Sequence, residues 1–250
     1  LNADMHFVPS VHVPFDHRAA ILAYIENEGE NATATLSAAF AGSTPVPSIA
    51  EFSSRGPSLA SYDQIKPDIS APGVDVLAAV APPSNAGREF DLYSGTSMSS
   101  PHIAGLGALM KDAHPDWTPA MIKSAMMTTA YDLESGADPF AQGAGHVQPN
   151  AMTDPGLVYD AGLYEYAAFT CGADLNVFNQ GSCDYLESLG VPSELRNLNL
   201  ASMALGDLAG SQTMVRTVTN VGNSTEAYTF DYTLPGINVT ASPSSFSLAP

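Results

Sequence analysis

From Ser97 to Ala113 the chain runs Ser-Met-Ser-Ser-Pro-His-Ile-Ala-Gly-Leu-Gly-Ala-Leu-Met-Lys-Asp-Ala, and no other stretch limits the fold as much. A serine opens it, Pro101 falls in an early turn where its missing N–H does little harm, and Pro115 stops it, so it reads as one helix. Ala104, Gly105, Gly107 and Ala108 leave little side chain on its surface, which implies a helix pressed close against its neighbours. A second helix follows, with Thr118 as N-cap, Pro119 in its first turn, and Met121, Ile122, Ala125 and Met126 on one apolar face up to Ala130.

The flanks of this pair alternate short strands with turns. Residues 18–27 place Ile21, Leu22 and Ile25 at helical spacing and stop at Gly29. Thr33–Phe40 and Ser48–Ser53 read as strands, and Val74–Val80, apolar and β-branched, reads as a buried one. Beyond residue 131 come Gly/Pro-rich connectors and a helix near Tyr164–Thr170. From Gln212 the pattern is all-β, with runs at Thr213–Asn220, Ala227–Thr233, Ile237–Ala241 and Phe246–Leu248 separated by turns, which argues for a sandwich. Only some 40 residues of a module that needs about 100 are present, so the sandwich reads as incomplete.

Composition narrows the function classes. With 250 residues, 45% hydrophobic and 14% charged, the chain can bury a real core, which excludes disorder along its whole length. Eight basic against 26 acidic residues give a net charge of −18, which repels phosphate backbones and anionic lipid, so no nucleic-acid partner is expected. No apolar run has the roughly 18–20 residues of a membrane span. The chain opens at Leu1 without an initiator Met or a basic leader, and is expected to begin inside a longer protein. Cys171 and Cys183 are too few for a structural zinc site and form either one local disulfide or two free thiols. The sequons at Asn31, Asn223 and Asn238 are compatible with secretion, as is the acidic balance. No calcium-loop pattern is present, and no metal or cofactor is implied.

The chemistry concentrates in Tyr93-Ser-Gly95-Thr96-Ser97-Met98-Ser99-Ser100-Pro101-His102. Gly95 allows an unusual backbone angle before the helix, and Ser97 sits at the positive end of the helix dipole, where its unpaired N–H can donate to an oxyanion. This string closely resembles the reactive-serine motif of subtilisin-like serine proteases, the subtilases. Phe52-Ser-Ser-Arg-Gly-Pro57 and Lys66-Pro-Asp-Ile-Ser-Ala-Pro-Gly73 resemble the family's two preceding blocks, and Pro115-Asp-Trp-Thr-Pro119 through Ala130 its following helix. Phe52–Pro57 and Tyr93-Ser-Gly most resemble the plant-type, cucumisin-like branch, in which a protease-associated domain is inserted between the catalytic His and Ser and a fibronectin type III-like domain follows. Arg216-Thr-Val-Thr-Asn-Val-Gly222 resembles the opening of that last domain.

The resemblance implies an α/β fold, the C-terminal half of a subtilisin-like doubly wound parallel sheet, followed by an incomplete all-β sandwich. It divides the chain into the tail of the inserted domain (1–28), the C-terminal part of the catalytic domain (29–195) and the start of a fibronectin type III-like domain (196–250). Ser97 is then the nucleophile of an extracellular endopeptidase that acts on polypeptides. The family's triad order is Asp, His, Ser, so the Asp and His are expected before residue 1, together with the oxyanion Asn. No His here is followed by Gly, Asp160-Ala-Gly162 comes after the serine, and Asn85-Ala-Gly87 stands in the wrong place to be the Asn. His102 lies five residues along the helix, about 140° round from Ser97, and reads as a packed structural residue. His6, His12 and His17 read as surface residues, and His114 and His146 lie in turns. Asp68 reads as structural, Arg55 as an ion-pair partner and Trp117 as a packing anchor. The chain alone is therefore expected to be inactive, poorly stable and dependent on the missing N-terminal part of its own protein. The alternative is a non-catalytic subtilase-fold protein with a structural or binding role. An α/β-hydrolase elbow is disfavoured, because Ser99 replaces its second Gly.

Overall fold

The computed structural model describes residue 8 and residues 10–38, 46–133 and 138–250. Its helices are α1 (Arg18–Glu28), α2 (Thr96–Ala113), α3 (Pro119–Thr128), α4 (Pro139–Gln142), α5 (Leu163–Gly172) and α6 (Gln180–Ser188). Short strands pair as three antiparallel ladders: β1 (Val76–Ala79) with β2 (Phe90–Tyr93), β3 (Leu157–Val158) with β4 (Thr219–Asn220), and β5 (Glu226–Thr229) with β6 (Ser245–Leu248). Helices on small sheets, followed after Asn197 by strands alone, make an α/β unit that runs into a β-rich one.

The core is built on α3. The Thr118 hydroxyl accepts from the Met121 N–H at 3.1 Å, a cap that contributes about 1 kcal/mol, and Pro119 occupies the first turn as expected. Ile122, Ala125 and Met126 pack there with Met110 of α2, Trp117, Val147, Met152 and Val158. Each large side chain so buried stabilises the fold by roughly 1.5–3 kcal/mol. Ser124, buried among them, accepts from the Tyr159 N–H at 2.8 Å. Trp117 is the anchor the sequence suggests, stacked on His114 with ring centroids 3.9 Å apart.

An α/β unit followed by a β-rich one is the expected fold class. Its described residues carry one parallel bridge, Ser70 to His146, held by Ser70 N–H to Gly145 O at 2.8 Å and Val147 N–H to Ser70 O at 2.9 Å. Several individual elements need correction. A parallel strand needs a neighbour delivered by a long crossover. Ser48–Ser53 finds none and is loop and turn rather than strand. Of Thr33–Phe40, residues 33–38 are irregular and the remainder lies outside the described residues, as does His6. The strand in Val74–Val80 is real but shorter and not buried: it pairs only with β2, and Leu77 is 67% exposed. In α2 only Met110 is buried; Gly107 lies against Met126, but Ala104, Gly105 and Ala108 are exposed and a Cβ added at Gly105 meets nothing within 4 Å, so most of the small-residue face is open rather than pressed on a neighbour. Pro101 is the sixth residue of α2 and removes the N–H that would bond the Ser97 carbonyl, so its position is less innocent than its place in the string suggests. Among the β-rich runs, Thr213–Asn220 contributes only β4, and β4 pairs with β3 of the preceding unit.

Candidate active site

Residues 93–99 leave strand β2 and enter α2 with one irregular residue pair between them. Gly95 is the N-cap, with φ 161° and ψ 161°, extended backbone that any residue adopts. A Cβ there would sit 3.6 Å from Met98 Sδ and from Ser97 N, an ordinary contact, so the unusual angle expected at Gly95 is not required. Glycine is demanded instead at Gly73, where a Cβ would lie 2.9 Å from Gly95 O and 3.2 Å from Ser99 Cβ. The segment 71–75 therefore runs tightly under the start of α2. It is bonded there by Gly95 N–H to Gly73 O at 2.7 Å and by the Ser99 hydroxyl to Ala71 O at 2.9 Å.

Thr96 and Ser97 form the first exposed turn of α2. The Met98 and Ser99 N–H groups fold back on Gly95 O at 3.0 and 3.4 Å, whereas the Ser97 N–H bonds no described carbonyl. The Ser97 hydroxyl likewise has no hydrogen-bond partner among the described residues, so hydroxyl and amide both face outward at the positive end of an 18-residue helix. His102 donates through Nδ1 to Met98 O, 2.8 Å away on its own helix, and is exposed rather than packed.

The other sequence candidates lie elsewhere. His114 contacts Thr153 O through Nε2 at 3.1 Å, and His146 contacts Val147 O through Nδ1 at 2.9 Å. His12 and His17 are on the surface near α1. Asn85 is used by the β1–β2 loop, donating to Ala81 O at 2.8 Å and accepting from the Tyr93 hydroxyl at 2.5 Å. Arg55 is exposed and forms no ion pair with a described residue, so its expected pairing is absent there. Asp68 receives Lys66 Nζ at 2.6 Å and Lys123 Nζ at 2.8 Å. Burial raises its carboxyl pKa, but the two ammonium groups outweigh that and hold it below the ordinary carboxylate value. Cys171 and Cys183 are joined as a disulfide between α5 and α6, and Asn31, Asn223 and Asn238 are exposed. Behind Thr96 and Ser99 opens a cavity of about 560 Å³, lined by Ile69, Ile103, Ile122 and Met126 with Asp68 and Lys123 at its polar end.

Residues 23–145 match the subtilase family, and residues 197–250 match a fibronectin type-III domain. The chain belongs to the subtilase family. Subtilisin-like protease SBT1.5 of Arabidopsis thaliana is 36% identical over 99% of the chain and 37% of its own length, and SBT1.3 of the same plant is 39% identical over 99% and 36%. The subtilase chain thus spans a little over a third of the length of these curated relatives. A solved structure, fervidolysin from Fervidobacterium pennivorans, a keratinolytic enzyme related to subtilisin, aligns with 33% of this subtilase and 14% of its own chain at 29% identity and TM-score 0.29. No helix among the described residues is long and apolar enough to cross a membrane.

The anchoring of the serine turn on residues 71–75 has little signal in the sequence, where Ala71-Pro-Gly73 reads as a turn leading into the Val74–Val80 run.

Proposed function

We propose that this chain is the serine-bearing part of an exported subtilisin-like endopeptidase, with Ser97 as nucleophile. One observation carries the reading: Ser97 presents an unpaired hydroxyl and an unpaired N–H together at the start of α2. In the reaction, Ser97 Oγ attacks the scissile carbonyl carbon while a histidine takes its proton, and the carbonyl oxygen becomes an oxyanion bound by the Ser97 N–H and an asparagine amide. Collapse expels the amine, which takes the proton from the histidine. Water, deprotonated by the same histidine, then releases the acyl group and restores Ser97. By the family's triad order the histidine and its orienting aspartate lie ahead of the serine in the full-length protein, and the asparagine is assigned to the same part.

That preceding part also accounts for the open small-residue face of α2 and the apolar cavity beside it, which together offer a docking surface for the rest of the sheet. By this reading the 250 residues alone are inactive and the full-length protein cleaves polypeptides outside the cell. Full-length protein should hydrolyse casein, and Ser97→Ala should lower turnover by about 10⁶, the loss typical of removing such a nucleophile. Casein hydrolysis that survives Ser97→Ala would reject Ser97 as the nucleophile, and a full-length protein with no hydrolysis at all would favour a non-catalytic role.

A further inference from the structure

We propose that Asp75 and Ser94 are positioning residues for Ser97, an inference that rests on the nucleophile reading above. The hydroxyl and amide of Ser97 precede the first closed turn of α2, so helical hydrogen bonds do not fix them. The next two N–H groups both return to Gly95 O, which makes the placement of Gly95 decisive for both. What holds Gly95 lies outside the helix. Its N–H donates to Gly73 O at 2.7 Å. One residue earlier, the Ser94 hydroxyl accepts from the Asp75 N–H at 2.9 Å and donates to Asp75 Oδ1 at 3.1 Å.

This reciprocal pair continues a ladder by other means. The β1–β2 register ends with Val76 opposite Tyr93. Asp75 opposite Ser94 is the next step; beyond it the register slips by one residue, Gly95 bonding Gly73 rather than facing Val74, so hydrogen bonds tie the hairpin to the chain to within two residues of the nucleophile. Asp75 adopts φ +50°, the left-handed region that costs most residues energy and that aspartate tolerates better than most. In that conformation its N–H and its carboxylate reach the same hydroxyl. An uncommon backbone angle held beside a candidate nucleophile is where a positioning device is expected. On the far side, the Ser99 hydroxyl on Ala71 O completes the seat.

A displacement of about 1 Å at a reacting group can cost 10²-fold in rate. The Gly95–Gly73 bond remains when the Ser94 hydroxyl is removed, so the expected loss is smaller. In the full-length protein, Ser94→Ala should lower kcat for a peptide substrate about tenfold with KM within about twofold, and Ser94→Thr, which keeps the hydroxyl, should recover most of it. Asp75→Asn, which keeps an acceptor and the left-handed tolerance, should retain activity that Asp75→Ala loses. An active wild type in which Ser94→Ala matches it, or in which Ser94→Thr and Asp75→Asn fail as badly as the alanine variants, overturns this inference alone. A wild type without Ser97-dependent hydrolysis overturns the nucleophile reading and this inference together.

Discussion

Asp68 gathers two of the three lysines in the chain, Lys66 and Lys123, and joins the loop before the serine turn to helix α3. Its side chain is only 26% exposed, so this pair of contacts is screened less than a surface ion pair. The sign of the pH effect follows from the depressed carboxyl pKa. A group that is more acidic in the folded state stabilises the fold above its unfolded pKa of about 4, and that stability is lost as pH falls through the lower folded value. Asp68→Asn should therefore flatten the acid side of a plot of unfolding midpoint against pH, measured on the full-length protein between about pH 2 and 6. An unchanged acid limb would mean that the two lysines do not stabilise the carboxylate. The string from Lys66 to Gly73 marked Asp68 as structural, but Lys123 lies 55 residues further along and no spacing rule pairs them.

Helices were more legible than strands, for a physical reason. The caps and stops of α1, α2 and α3 are local, so Gly29, Thr118, Pro119 and Pro115 marked helix ends to within a few residues. Strand identity depends on a partner, which a single sequence does not display. Leu157–Val158, set between Pro155-Gly156 and Asp160, is too short a run to signal a strand and becomes β3 because β4 lies beside it. Helix α6 was missed because its Gln-Gly-Ser start is a poor helix former; the Asn179 cap on Ser182 N–H at 2.9 Å and the Cys171–Cys183 bond supply what propensity lacks.

The β3–β4 ladder ties the fibronectin-matched segment to residues 157–158, and Arg216, just before β4, binds its stretch of chain to residues 196–202. Its guanidinium donates to Leu200 O at 2.9 Å, Arg196 O at 2.7 Å, Val215 O at 2.9 Å and Ser202 O at 3.1 Å. Burial lowers its pKa from the usual arginine value, and carbonyls rather than a carboxylate compensate. A lysine cannot reproduce a fork of this shape. Arg216→Lys should cost about 1.5–3 kcal/mol in equilibrium unfolding of the full-length protein, the range for hydrogen bonds to a charged group. A loss below about 0.5 kcal/mol would show that the fork does not hold residues 196–202 to the stretch that carries Arg216.

At the scale of the molecule, the proposed function needs catalytic groups beyond those that the described residues bring to Ser97. The motif around Ser97 was fully legible as a string, because its chemistry is written in consecutive residues. The seat beneath it was not, because Gly73, Asp75 and Ser94 acquire meaning only when segment 71–75 meets the start of α2. The open face of α2, the cavity beside it and the outward-facing Ser97 groups lie together on one side of the helix start, and the proposed function uses them as one surface. The −18 charge of the chain bears on solubility and partners rather than on this architecture. The most direct test compares fluorophosphonate labelling of Ser97, read by mass spectrometry, in the 250-residue chain and in the full-length protein. The account predicts rapid labelling of Ser97 in the full-length protein and none above background in the chain alone. Equal labelling of the two would contradict it, because Ser97 would then be activated by residues within this chain.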